Sequence, residues 1–155
     1  MGFGDNLNKE FLCFKRKIHN KFDDSNYIKD IILDSIKISN DLLSIYEYNN
    51  NNSLDGIIYN IYSKLSENTR KNIRLLNIIY SNIYDDNGIR TKEVFNLKSN
   101  VLDIIFKNIE LSKKIRKILY WIDNTTHKFM LFDIITDIGI DISLLNIISS
   151  RENGQ

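Results

Sequence analysis

From Ile28 to Ile45 the apolar residues fall at steps of three and four: Ile28, Ile31, Ile38, Leu42 and Ile45 share one row with Ser35. Ile32, Ile36, Leu43 and Tyr46 flank that row, and strict alternation is absent. Isoleucine and tyrosine favour strands when taken alone. Their spacing here places them on one broad face of a helix. The period returns at Leu54, Ile57, Ile58, Ile61, Tyr62 and Leu65, then at Ile73, Leu76, Ile79, Tyr80 and Ile83. It returns again at Phe129, Phe132, Ile135 and Ile138. The chain has neither proline nor alanine, so its helices depend on Leu, Lys and Glu for propensity and on burial of Ile for the rest.

These rows predict an all-α, compact bundle of seven to eight helices in one domain over residues 1–155. An extra N-terminal helix is expected over residues 7–22, with Leu7, Phe11, Phe14, Ile18 and Phe22 on one side. Asp24 or Ser25 is expected to cap the helix of residues 25–46, and the four asparagines at 49–52 to end it. Ser53 is read as the next cap and Ser66 as the start of a further helix. Asp85-Asp86-Asn87-Gly88 reads as a turn, and Thr91 as the cap of a short segment containing Val94, Phe95 and Leu97. Residues 100–123 are predicted to be a buried central helix, because Val101, Leu102, Ile104, Ile105, Phe106 and Ile109 cover most of its first half. Asn124-Thr125-Thr126 re-caps the chain, Gly139 suits a helix end, and Asp141 is expected to start a last helix through Leu144, Leu145 and Ile148. Residues 151–155 form a polar tail, expected to fray.

Composition narrows the classes of function. Hydrophobic residues make up 43% and charged residues 26%, enough for a core with a solvated surface. A net charge of +1 gives no global field toward nucleic acid or acidic membranes. No apolar run approaches the roughly 18–20 residues of a membrane span, and no leader-like stretch opens the chain. Cys13 is the sole cysteine, so an internal disulfide is excluded. A reducing, cytoplasmic setting is the expectation, and the Asn51-Asn52-Ser53 and Asn124-Thr125-Thr126 triplets are read as products of an Asn-rich composition.

Chemistry-bearing patterns are scarce. His19 and His127 are the only histidines and are far apart; both are read as surface or boundary residues without metal-ligand spacing. Cys13 beside Lys15-Arg16-Lys17 is read as half-buried and inert. Asp23-Asp24 and Asp85-Asp86 sit where caps and turns want Asp. The scattered glycines form no phosphate-cradling loop, and no Gly-x-Ser-x-Gly elbow occurs. The expected protein is therefore not an enzyme and holds no cofactor or metal. Lys15, Arg16, Lys17 and Lys21 fit a capping helix better than a membrane-surface one. Gly2 followed by Phe3, with Asn6 where Ser or Thr belongs, does not fit myristoylation. Lys113, Lys114, Arg116 and Lys117 are read as a solvated face and not as a nucleic-acid contact.

Taken in order, several segments resemble the poxvirus Bcl-2-like immune modulators. DSNYIKDIILDSI is similar to that family's first helix, and SLDGIIYNIYSKL with NIRLLNIIYSNIY to its second-to-fourth helix region. IELSKKIRKILYW, ending in Trp121, resembles the end of its central helix, and KFMLFDIITDIGIDISLLNII its last two helices. The similarity spans about residues 25–148. Glu110, Leu111 and Ser112, followed by Lys113 and Lys114, depart from the family's small and apolar residues. The AT-rich codon bias implied by abundant Ile, Asn, Lys and Tyr suits such a source, among others.

What the resemblance implies is a non-enzymatic protein of the host cytoplasm that blocks innate immune signalling toward NF-κB or interferon-regulatory factors, with some members forming homodimers. An alternative it implies is an anti-apoptotic protein that binds amphipathic helices of pro-apoptotic partners. That reading places a groove between residues 54–65, 72–84 and the start of 100–123, lined by Ile58, Tyr62, Leu76, Tyr80 and Phe106. A third reading is a small helical structural or nucleic-acid-associated protein. Tyr48, Tyr59 and Tyr84 lie off the main apolar rows and are further candidate partner contacts.

Overall fold

The computed structural model describes residues 3–85 and 97–154, with side chains from Ser25 onward. The described residues form four helices and no strand: α1 (Phe3–Asn52), α2 (Gly56–Tyr84), α3 (Val101–Trp121) and α4 (Thr125–Asn153). The all-α expectation holds. The count of seven to eight does not, because expected neighbours are fused. Residues 7–22 and 25–46 belong to one helix, as do 66–84 and the expected 54–65 from Gly56 on, and 125–138 and 141–153.

The fusion has a local cause. Ser, Thr, Asn and Asp compete with helix when their side chains bond nearby backbone in a turn. Here they bond backward within the helix instead. Ser35 Oγ donates to the Ile31 carbonyl at 2.7 Å and Ser39 Oγ to the Ser35 carbonyl at 2.8 Å. Thr136 and Ser143 do the same toward Phe132 and Gly139. Ser66 and Asp141 are buried in mid-helix, and Gly139 is an interior residue of α4, not a helix end. With no proline present, nothing forces a stop.

The true ends carry true caps. α1 stops at the asparagine run as expected. The cap of α2 is Asp55 where Ser53 was expected: Asp55 Oδ1 accepts from the Ile57 and Ile58 N–H groups at 2.8 and 3.2 Å. Those two bonds, with Arg151 nearby, hold the Asp55 carboxyl below its usual range. Asn100 caps α3 through the Asp103 N–H, and Asn124 caps α4 through the His127 N–H. α2 ends at Asp85, which takes the left-handed conformation with φ 48°. The rest of the expected turn and the segment from Thr91 to Phe95 lie outside the described residues.

α1 packs on α2 and α3, and α4 packs on α3 and α2; the pairs α1/α4 and α2/α3 lie on the diagonals, without close backbone approach. Cross-helix bonds give the directions. Tyr84 meets Ser25 while Arg70 meets Glu47, so α1 and α2 are antiparallel. Asn82 meets His127 while Arg151 meets Asp55, so α2 and α4 are antiparallel. Lys114 meets Asp34 while Asn108 meets Tyr46, so α1 and α3 are antiparallel. The described helices are therefore two hairpins laid side by side, up-down then down-up.

The core draws on every helix, including Ile32 and Leu42 of α1, Leu65 and Leu76 of α2, Ile104 and Ile115 of α3, and Leu131 and Leu145 of α4. Each such side chain contributes about 1.5–3 kcal/mol by leaving water. The expectation that residues 100–123 form a surrounded central helix is corrected here. α3 leaves Leu102, Phe106, Tyr120 and Trp121 exposed. α1 is the better-enclosed helix, since Asp34 is the one exposed residue between positions 31 and 50.

A polar layer interrupts this core. Asn108 donates to the Tyr46 hydroxyl at 2.7 Å, joining α3 to α1. Asn68 donates to Asp141 Oδ1 at 2.7 Å, joining α2 to α4. One turn away, Lys71 pairs with Asp137 at 2.6 Å. Burial raises the Asp141 carboxyl to about 7, helped by the neighbouring Asp137 charge and opposed by the Asn68 bond. Burial also pushes Tyr46 well above the usual phenol range and Tyr62 up to about 12.

Candidate functional site

All four helices converge at one end of the bundle, where α1 side chains begin to be described, α2 and α3 end and α4 starts. An open cleft of about 620 Å³ lies there. Its floor is aliphatic, with Ile28, Ile83 and Ile122. Its rim is aromatic: Tyr84 from α2, and Tyr120 and Trp121 from the last turn of α3. Polar groups enter from the α3–α4 connection as Asp123 and Asn124, and from α4 as His127.

The position of Tyr84 is fixed by its neighbours. The Tyr84 hydroxyl donates to the Ser25 carbonyl at 3.0 Å, which pins the end of α2 to α1. Its ring lies 5.3 Å from that of Tyr80, and the Lys29 ammonium sits over both rings at 5.6 and 5.8 Å, within cation–π range. Burial raises the Tyr84 hydroxyl pKa. His127 is buried, not at the surface, and its Nε2 lies 3.3 Å from the Asn82 amide. Trp121 is half exposed and Tyr120 almost wholly so. Exposed aromatics beside buried aliphatic side chains are a common way to anchor partner side chains.

Of the residues picked from sequence, Tyr84 lines this cleft. Tyr62, Leu76 and Tyr80 are core residues, and Ile58 is partly buried against the core. Phe106 is exposed on α3. With Tyr62, Leu76 and Tyr80 closed off inside the core, these five residues do not present one open groove. Tyr59 is exposed near the start of α2, and Tyr48 is partly exposed near the end of α1, away from the cleft. Sequence reasoning missed Trp121, Tyr120, Ile122 and His127 as one group. The signal available was the only tryptophan of the chain standing at a helix end before a capping asparagine.

The basic group at residues 113–117 is split. Lys114 turns inward to Asp34 at 2.5 Å and to Glu110 at 3.7 Å, while Lys113, Arg116 and Lys117 are exposed. Cys13, His19 and the basic residues 15–21 lie where side chains are not described. Among the described residues, no three His, Cys, Asp or Glu side chains group as metal ligands, and no helix is long and apolar enough to cross a membrane.

The arrangement so far defines an antiparallel four-helix bundle with an aromatic-rimmed cleft at one end. Compared with protein families, characterised proteins and solved structures, the chain matches none.

Proposed function

We propose that this protein is a binding module that captures a segment of another protein in the end cleft and carries out no chemistry of its own. One observation carries the reading: side chains of Tyr84, Tyr120 and Trp121 from two helices ring an aliphatic floor of Ile28, Ile83 and Ile122. An apolar side chain of the partner fills that floor, and Asp123 at the rim favours a basic neighbour in the same segment.

The choice of partner rests on sequence. Similarity to the poxvirus Bcl-2-like modulators directs attention to adaptors and kinases of innate immune signalling, and to inhibition of NF-κB or interferon-regulatory outputs in the host cytoplasm. The alternative, a groove for pro-apoptotic helices, has less support, because Tyr62, Leu76 and Tyr80 of its lining are buried in the core.

Expression of the protein in reporter cells tests the signalling reading. The expected result is a reduced NF-κB or interferon-promoter response, restored by Trp121→Ala. Normal responses across several stimuli would overturn the choice of pathway. The cleft is tested separately, with Trp121 as its own fluorophore. Binding of a captured partner segment is expected to shift and intensify Trp121 emission, and an unchanged spectrum on proven binding would move the site elsewhere.

A further inference from the structure

We propose that the outer face of α4 is a self-association surface on which a second copy of this chain lies antiparallel, about a two-fold axis between Gly139 and Ile140. This does not rest on the cleft or on any resemblance.

α4 packs its inner side on α2 and α3, yet its outer side keeps Phe129, Phe132, Ile140 and Ile147 exposed at 67%, 53%, 46% and 47%. Between residues 129 and 150, Asp133 is the one charged residue that is exposed. α2 and α3 also expose apolar residues, Ile78 and Phe106 among them, but mix them with charge: α2 shows Lys64, Glu67, Arg70 and Arg74, and α3 shows Glu110, Lys113, Arg116 and Lys117. A solvated helix face is charged; a face this apolar is normally covered.

The order of residues says what covers it. An antiparallel pair centred between Gly139 and Ile140 sets each exposed position opposite another exposed position of the second copy. Phe132 meets Ile147, and Phe129 meets Ser150. Thr136 meets Ser143, small against small, so the helices approach closely. Ile140 meets Gly139, where nothing stands within 4 Å of an added Cβ, so the methyl groups have a recess to enter. Asp133 meets Asn146, a donor for its carboxylate, and never its own copy. Large residues thus face small or aliphatic ones and the lone charge faces an amide, which is the self-complementarity a two-fold interface requires. A parallel pair would stack Phe132 on Phe132 and Asp133 on Asp133.

The face is roughly 30 Å long and one helix wide. That is a footprint on the order of 300 Å² per partner at a helix width of about 10 Å, below the roughly 800 Å² of a standard interface, and fits a weak, reversible dimer with a dissociation constant in the micromolar range.

Sedimentation equilibrium of the full chain from 1 to 200 µM tests the proposal. A monomer–dimer equilibrium is expected, and Ile140→Lys should raise the dissociation constant at least tenfold with the helical circular dichroism unchanged. A chain monomeric at 200 µM overturns the proposal, as does a dimer indifferent to Ile140→Lys. Orientation is read in a Cys13→Ser background. Gly139→Cys should form a disulfide-linked dimer under mild oxidation, and Phe129→Cys should crosslink to Ser150→Cys when mixed but not to itself. Self-crosslinking of Phe129→Cys would establish a parallel pair and overturn the antiparallel assignment.

Discussion

The Asn68 side-chain amide of α2 donates to Asp141 of α4 across 2.7 Å, and both residues are buried in the middle of the bundle. The bond ties the two hairpins together at one register, and it leaves a carboxyl where water cannot solvate its charge.

That carboxyl sets a pH dependence. The Asp141 pKa is raised from 3.8 to about 7, chiefly by burial. Between these values the folded chain holds a proton that the unfolded chain has released. Stability therefore falls as pH rises through this window and levels off above it, at up to roughly 1.4 kcal/mol per pH unit. Urea unfolding at pH 5 and pH 8 is expected to show the lower stability at pH 8. Asp141→Asn keeps an acceptor for Asn68 and should remove most of the difference. An unchanged pH slope in Asp141→Asn would assign it to other groups.

The Tyr46–Asn108 bond predicts an asymmetry between its partners. Asn108 also donates to the Ile104 carbonyl at 3.0 Å, so Tyr46→Phe leaves its amide a partner and should cost about 1 kcal/mol. Asn108→Ala opens a small void and strands a buried hydroxyl, and should cost about 2–4 kcal/mol. Equal losses in urea titrations would mean that the hydroxyl finds another acceptor or donor.

Gly139 separates a continuous α4 from two shorter helices. In mid-helix, with open space around an added methyl group, Gly139→Ala should stabilise the monomer by about 0.5–1 kcal/mol. At a left-handed helix end the same change would destabilise. Thermal unfolding in dilute solution gives the sign.

At Asp85 the opposite substitution is favoured. Its φ of 48° is the one positive value among the described non-glycine residues. Asp85→Gly removes the crowding of Cβ against the following carbonyl and should raise stability by about 0.5–1 kcal/mol. A loss of melting temperature would show that the Asp side chain contributes more than its backbone conformation costs.

The row from Ile28 to Ile45 was readable because burial and spacing coincide: Ile28, Ile31, Ser35, Leu42 and Ile45 are buried and Ile38 is partly so. The ends at the asparagine run, at Asp85 and at Asn124 were readable because their residues suit non-helical or left-handed backbone. Ser66, Gly139 and Asp141 misled, since a residue type that favours a boundary does not create one when neighbouring turns pack and the side chain finds a partner inside. Leu102 and Phe106 misled in the other direction: apolar residues around a helix imply cover, but not that this chain supplies it. The cleft was hidden because Ser25 and His127 come to line one cavity through helix order, and no local pattern records that order.

The side-by-side hairpins have a consequence for how the molecule is put together. Every contact between α1 and α2, or between α3 and α4, is made within one half of the chain, and the halves meet along α1–α3 and α2–α4. Severing the backbone between Tyr84 and Val101 therefore leaves α1 with α2 and α3 with α4. Two separately produced pieces should find each other and restore the bundle, with Asn68 and Asp141 acting as the key that admits only one alignment.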